Sequence, residues 1–184
     1  RAWLAQLQEG GKLHRNTVLR RFAAVRSLIR FLVQEGQLPA NPLIGLPMPK
    51  TEKRLPRFLS EEEVLLLLEA PVRLPPPLLR RDRALLELMY SSGLRRAEIC
   101  GLNIGDLDIL AGGVRVFGKG SKERWVPVGK IALKCLRDYL SLRPVPSSRD
   151  EDPLFLSVRG TRLSDSAIPL ILTRWARAAK LLKP

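Results

Sequence analysis

The stretch from Pro47 to Arg57 suits neither a regular helix nor a central strand. It sets Pro47, Pro49 and Pro56 among the charged residues Lys50, Glu52, Lys53, Arg54 and Arg57, with little periodicity. Proline lacks the N–H that both structures use. Pro39 and Pro42, in Leu38-Pro39-Ala40-Asn41-Pro42, already interrupt the chain just before it. An extended linker is therefore expected over 47–57, dividing the 184 residues into a smaller part, 1–46, and a larger one, 58–184.

In the smaller part, Val18, Phe22, Val25, Ile29, Leu32 and Val33 recur at helical spacing. They predict a helix from Asn16 or Thr17 to about Glu35, with Asn16 as N-cap and Gly36 as the residue that stops it. An earlier helix, Ala2 to Glu9, ends at Gly10-Gly11. In the larger part, Ser60 and Glu63 form a capping box ahead of Leu65–Leu68. Pro75-Pro76-Pro77 precedes a long helix, about Leu78 to Ser92, and a short one follows Gly93. Three strand signals come next, 107–109, 113–117 and 123–128, the last two joined at a hairpin tip over 118–122. Helices from about Lys130 to Leu142 and from Ser164 to about Leu181 complete the pattern, with Pro169 an irregularity inside the last. The expected fold class is mainly α (α+β), with one small three-stranded antiparallel sheet.

Composition narrows the function. The formal charge is +14, from 32 basic and 18 acidic residues. It is spread over both parts: residues 1–50 carry 8 basic and 2 acidic side chains, and no run of like charge is long enough for a tail. With 45% hydrophobic residues the positive surface belongs to folded structure, which points to shaped binding of phosphate. One histidine and two cysteines, Cys100 and Cys135, argue against a His-ligated metal hydrolase, a zinc site or a disulfide framework. No apolar run reaches the roughly 20 residues of a membrane span. A soluble, intracellular, cytoplasmic protein is expected.

Several residues stand out as candidates. Arg20, Arg21, Arg26 and Arg30 leave the apolar stripe of the first helix, with no acid between Thr17 and Arg30. A solvated face accounts for any one of them, and the four together point toward phosphate. After Gly93 the chain can turn sharply, so that Arg95 emerges at the N-terminus of a short helix, a position suited to anions. Glu98, three residues on, can pair with it. Lys119 sits between Gly118 and Gly120 at the hairpin tip, exposed enough to enter a groove and donate a proton. Tyr90 and Tyr139 fall inside apolar helical patterns and read as core or edge packing, and isolated His14 has no assigned role.

Taken in order, these segments resemble tyrosine recombinases of the Xer type, within the phage integrase family. The resemblance runs through Asn16-Thr17, Phe31 to Gly36, Asn41-Pro42, Leu59 to Glu63, Gly93-Leu94-Arg95 with Glu98, Gly118 to Arg124 with Val126-Pro127-Val128, and Pro153-Leu154-Phe155 with Gly160. It implies a bilobed DNA clamp. Residues 1–46 would be part of a helical core-binding domain, 47–57 a linker, and 58–184 the N-terminal part of a catalytic domain. Arg95 would hold the scissile phosphate, Lys119 would protonate the departing 5′ oxygen, and Glu98 would support them. Thr17, Arg20, Arg21, Arg26, Arg30, Lys122 and Arg124 are the expected DNA contacts. Such enzymes store the bond as a 3′-phosphotyrosine and need no metal or other cofactor.

The family's His-x-x-Arg motif, its later His or Trp and its tyrosine have no match before Lys183-Pro184, and neither Tyr90 nor Tyr139 fits the nucleophile. The chain as it stands is therefore expected to be truncated at both ends and not to cleave DNA. The expected partner is double-stranded DNA, with recombinase protomers joining in a synaptic tetramer when the protein is complete, and no membrane. A non-catalytic DNA-binding module is the alternative. A basic RNA-associated protein would account for the charge, but aromatic residues for stacking are only 5% of the chain.

Overall fold

A computed structural model describes residues 15–46, 58–70, 72–118, 122–147 and 152–181. The chain divides into two compact units, Arg1–Arg57 and Phe58–Pro184. The expected helix Ala2 to Glu9, His14 and the linker 47–57 lie outside the described residues.

In the first unit, helix α1 (Arg15–Gln34) carries the predicted stripe. Val18 and Phe22 are buried, with Leu19 beside them. The helix already includes Arg15 and Asn16, so Asn16 lies in its first turn and is not its N-cap. At the other end Gly36 takes a left-handed backbone with φ 70°. The N–H groups of Gly36 and Gln37 turn back to the carbonyls of Val33 and Leu32, which closes the helix where the sequence puts its stop.

The second unit opens with α2 (Glu61–Leu68), held by the predicted reciprocal cap. Glu63 N–H donates to Ser60 Oγ at 3.2 Å, and Ser60 N–H donates to Glu63 Oε2 at 2.9 Å. Helix α3 (Pro76–Ser92) starts two residues earlier than expected, because Pro76 and Pro77 form its first turn, where no N–H is required. Short α4 (Arg96–Gly101) and a single 3-10 turn, Ile104–Asp106, lead into the sheet. Strands β1 (Leu107–Asp108), β2 (Gly113–Phe117) and β3 (Glu123–Pro127) pair antiparallel in sequence order, with Val114 opposite Val126. Helices α5 (Lys130–Leu140) and α6 (Ala167–Ala178) follow. Pro169 falls in the first turn of α6, so the helix begins three residues later than the sequence predicts and stays regular.

Helix α3 packs along α5, and α2 packs against α6. The core between them holds Ala84, Leu85 and Leu88 of α3, Leu136 and Tyr139 of α5, Val114 of β2, and Ile168 and Trp175 of α6. Burying each large apolar side chain contributes about 1.5–3 kcal/mol. Tyr139 stacks on Phe155, ring centroids 5.7 Å apart, and its hydroxyl accepts the N–H of Leu156 at 3.2 Å. It is a core residue, as expected. Tyr90, expected as core or edge packing, lies on the last turns of α3 and is largely exposed, so it does not belong to the core.

The apolar pattern gave no sign that α3 also buries charge. Arg81, Asp82 and Glu87 are all sequestered. Arg81 donates from Nε and Nη2 to Asp82 Oδ1, at 2.9 and 2.6 Å, and from Nη1 to the carbonyl of Leu156 at 2.9 Å. Arg174 of α6 approaches the other carboxylate oxygen at 3.5 Å. The cluster joins α3, α6 and the Leu154–Leu156 segment, and burying it is tolerable only because the charges are paired. Cys100 and Cys135 are buried free thiols, and burial is the main cause that raises both above the ordinary thiol range.

Candidate functional site

The site begins with the turn that ends α3. Gly93 has φ 61° and ψ 21°, and its N–H closes on the carbonyl of Met89. A left-handed residue here reverses the chain at low cost only if it is glycine. Leu94 is then buried as an anchor, and Arg95 follows in extended backbone as the N-cap of α4. The Arg95 side chain is 76% exposed, while that of Glu98, one turn on, is 7% exposed.

Glu98 organises the site. Its Oε2 accepts the backbone N–H of Arg95 at 2.9 Å, and its Oε1 accepts Arg95 Nη1 at 3.1 Å. This is half of a capping box, because a guanidinium cannot accept the return bond. A second guanidinium arrives from β3: Arg124 Nη2 donates to Glu98 Oε2 at 2.9 Å. The Arg124 bond is the largest cause that holds the Glu98 carboxyl down to about 2, assisted by the backbone and side chain of Arg95 and opposed by burial. Glu98 is therefore ionised at any physiological pH. Arg95 keeps Nε and Nη2 without a partner among the described residues.

Beside this group lies a concavity of about 380 Å³, lined by Arg95, Ala97, Glu98, Phe117 and Gly118. The N–H of Gly118 donates to the carbonyl of Lys122 at 2.8 Å and closes the base of the hairpin. Lys119, the other residue expected to act chemically, lies outside the described residues. The structure thus brings Arg95, Glu98 and Arg124 together at the base of the hairpin. Lys122 is exposed beside them. In the first unit, Arg20, Arg21 and Arg30 of α1 are exposed, and Thr17 and Arg26 are half-buried.

Sequence reasoning placed Arg124 among DNA contacts and did not link it to Glu98. It also missed Arg162, whose Nη1 donates to the carbonyls of Cys100 and Leu102, both at 3.1 Å. The register of β2 on β3 was the only available signal for the first. For the second there was none, since Arg162 reaches α4 from 62 residues away. What the arrangement can do chemically is hold an oxyanion: a guanidinium at a helix N-terminus, fixed on one side and open on the other. Among the described residues no group of three or more His, Cys, Asp or Glu could hold a metal ion, and no helix is long and apolar enough to cross a membrane.

Residues 57–184 match the phage integrase family. The tyrosine recombinase XerC of Pelotomaculum thermopropionicum is 45% identical over 98% of this chain and 60% of its own length. The crystal structure of XerA recombinase superposes with a TM-score of 0.62 at 27% identity, covering 99% of this chain and 61% of that one. The XerH site-specific recombinase, in a post-cleavage complex with a palindromic difH substrate, gives a TM-score of 0.77 at 21% identity, covering 97% and 54%. The chain spans 50–60% of the length of the curated relatives it matches.

Proposed function

The chain belongs to the phage integrase family, and on that premise we propose that it is the phosphate-gripping portion of a site-specific DNA recombinase, a protein that cuts and rejoins duplex strands in the cytoplasm. Residues 58–184 are then the N-terminal part of the catalytic domain, and 1–46 part of a core-binding domain. The observation that supports this best is the exposed Arg95 guanidinium, held on the largely covered Glu98 side chain at the edge of the concavity, with Nε and Nη2 unpartnered among the described residues.

In this reading Arg95 holds the non-bridging oxygens of the scissile phosphate. A tyrosine oxygen forms the new bond to phosphorus as the bond to the 5′ oxygen breaks, and charge gathers on the oxygens that Arg95 faces. Lys119 gives its proton to the departing 5′ oxygen. Neither tyrosine of this chain suits the attack: Tyr139 has its hydroxyl buried on Leu156, and Tyr90, on α3, is not among the residues that line the concavity. The exposed Arg20, Arg21 and Arg30 of α1, with Thr17, Arg26 and Lys122, bind the backbone of the same duplex, and further protomers join on the DNA.

The test is covalent trapping. The full-length gene product, given a nicked suicide duplex that carries a site selected by this chain, should form a protein–DNA adduct, and Arg95→Ala should abolish it. Undiminished adduct from that variant removes Arg95 from the reaction. Tight, salt-sensitive duplex binding with no adduct from the natural product would instead mean a binding module without chemistry.

A further inference from the structure

Arg124 holds a place that an ordinary DNA-contacting arginine would not need. Its side chain is 41% exposed, yet Nη2 is committed to a carboxylate that is 7% exposed. The guanidinium also lies close to the hairpin base, where a Cβ added to Gly118 would come within 3.1 Å of its Nη1. Among the described residues the other side chain on that carboxylate is Arg95.

We infer that Arg124 is a positioning residue, which fixes the Arg95 guanidinium through Glu98 and ties the hairpin to the start of α4. This deepens the proposed function and rests on it for the reaction. A solvent-exposed ion pair three residues apart on a helix is weak and mobile, because it orders long side chains for little Coulomb gain. Arg95 on Glu98 shares that weakness on the arginine's side, where the side chain is 76% exposed. A carboxylate gripped from a second element cannot turn freely about its last torsion, so the oxygen that receives Arg95 Nη1 stays in place. The same bond spans from β3 to α4, so the strand that carries the hairpin tip cannot shift without moving Glu98.

The experiment is a double-mutant cycle on duplex binding by the 184-residue chain, read across a potassium chloride series, with Arg95 side-chain nitrogen NMR alongside. Arg124→Ala should weaken binding in the wild-type background. In the Arg95→Ala background it should change affinity by less than about twofold, the limit of ordinary additivity, and leave the salt slope unaltered. A direct phosphate contact behaves otherwise: the loss persists without Arg95 and the slope falls by about 0.9. That result overturns the inference. Restricted rotation of the Arg95 guanidinium should also vanish in Arg124→Ala, and its survival would equally overturn the inference. If the wild-type chain fails to bind duplex at all, the recombinase reading fails, and the NMR result still decides the role of Arg124. Arg124→Gln, which keeps the aliphatic stem but is too short and uncharged to replace the guanidinium, serves if Arg124→Ala does not fold.

Discussion

Arg162 donates to Asn103 Oδ1 at 2.7 Å while its other terminal nitrogen holds the carbonyls of Cys100 and Leu102. One guanidinium thus closes the C-terminal end of the helix whose N-terminal end presents Arg95. The last carbonyls of a helix have no partner within it and must find one elsewhere.

Replacing Arg162 by Ala should therefore cost about 2 kcal/mol in urea unfolding, the size of a hydrogen bond from a charged donor. Lys should recover little of this, because an ammonium cannot span three acceptors as a planar fork does. Full stability in Arg162→Lys would mean that charge alone suffices there.

A pH dependence follows from Glu98. Its carboxyl is depressed from 4.5 to about 2 in the folded chain, so the unfolded state binds the proton first. The stability it contributes is complete above pH 4.5 and is lost as pH falls through about 2. Glu98→Gln removes this dependence. The stability gap between wild type and variant should be constant from pH 7 to 5, then narrow below pH 4.5. Chemical denaturation at stepped pH measures it, and a gap that narrows above pH 5 would contradict the bonding described.

Tyr139→Phe keeps the stack on Phe155 but leaves the buried N–H of Leu156 without an acceptor. The expected loss is about 1–3 kcal/mol, seen as a lower urea midpoint with an unchanged m-value.

Gly93→Ala places a Cβ on a backbone at φ 61°. No neighbouring atom opposes that Cβ, so the cost is backbone strain alone, about 1 kcal/mol. Because Arg95 starts two residues later, duplex affinity should fall more than thermal stability does. Equal affinity in wild type and Gly93→Ala would show that the turn does not aim Arg95.

Where local chemistry decides the structure, the sequence was readable. Ser60 with Glu63 fixes the start of α2, Gly36 stops α1, and the alternation of Val114 and Val116 with Arg115 and Phe117 sets the inner face of β2. Gly93 followed by Arg95 and Glu98 foretold the heart of the site for the same reason, since all of its bonds to Arg95 span three residues. Long-range pairing left no local trace. Arg124 meets Glu98 across 26 residues, and Arg81 turns into the core toward Leu156 across 75. Both are ordinary surface arginines to any pattern of hydrophobicity. Pro169 misled in the opposite sense, as a helix breaker that the first turn of α6 accommodates without loss.

The two buried cysteines give the chain a convenient labelling background. A thiol reacts as thiolate, and burial that raises both groups makes Cys100 and Cys135 nearly silent toward maleimides in the folded state. A single cysteine placed at exposed Ser147 could then carry a fluorophore without removal of either native one. Cys100 has a further use, because its carbonyl is one of those held by Arg162. The slow rate at which it becomes modifiable is a stopwatch for opening at the end of α4.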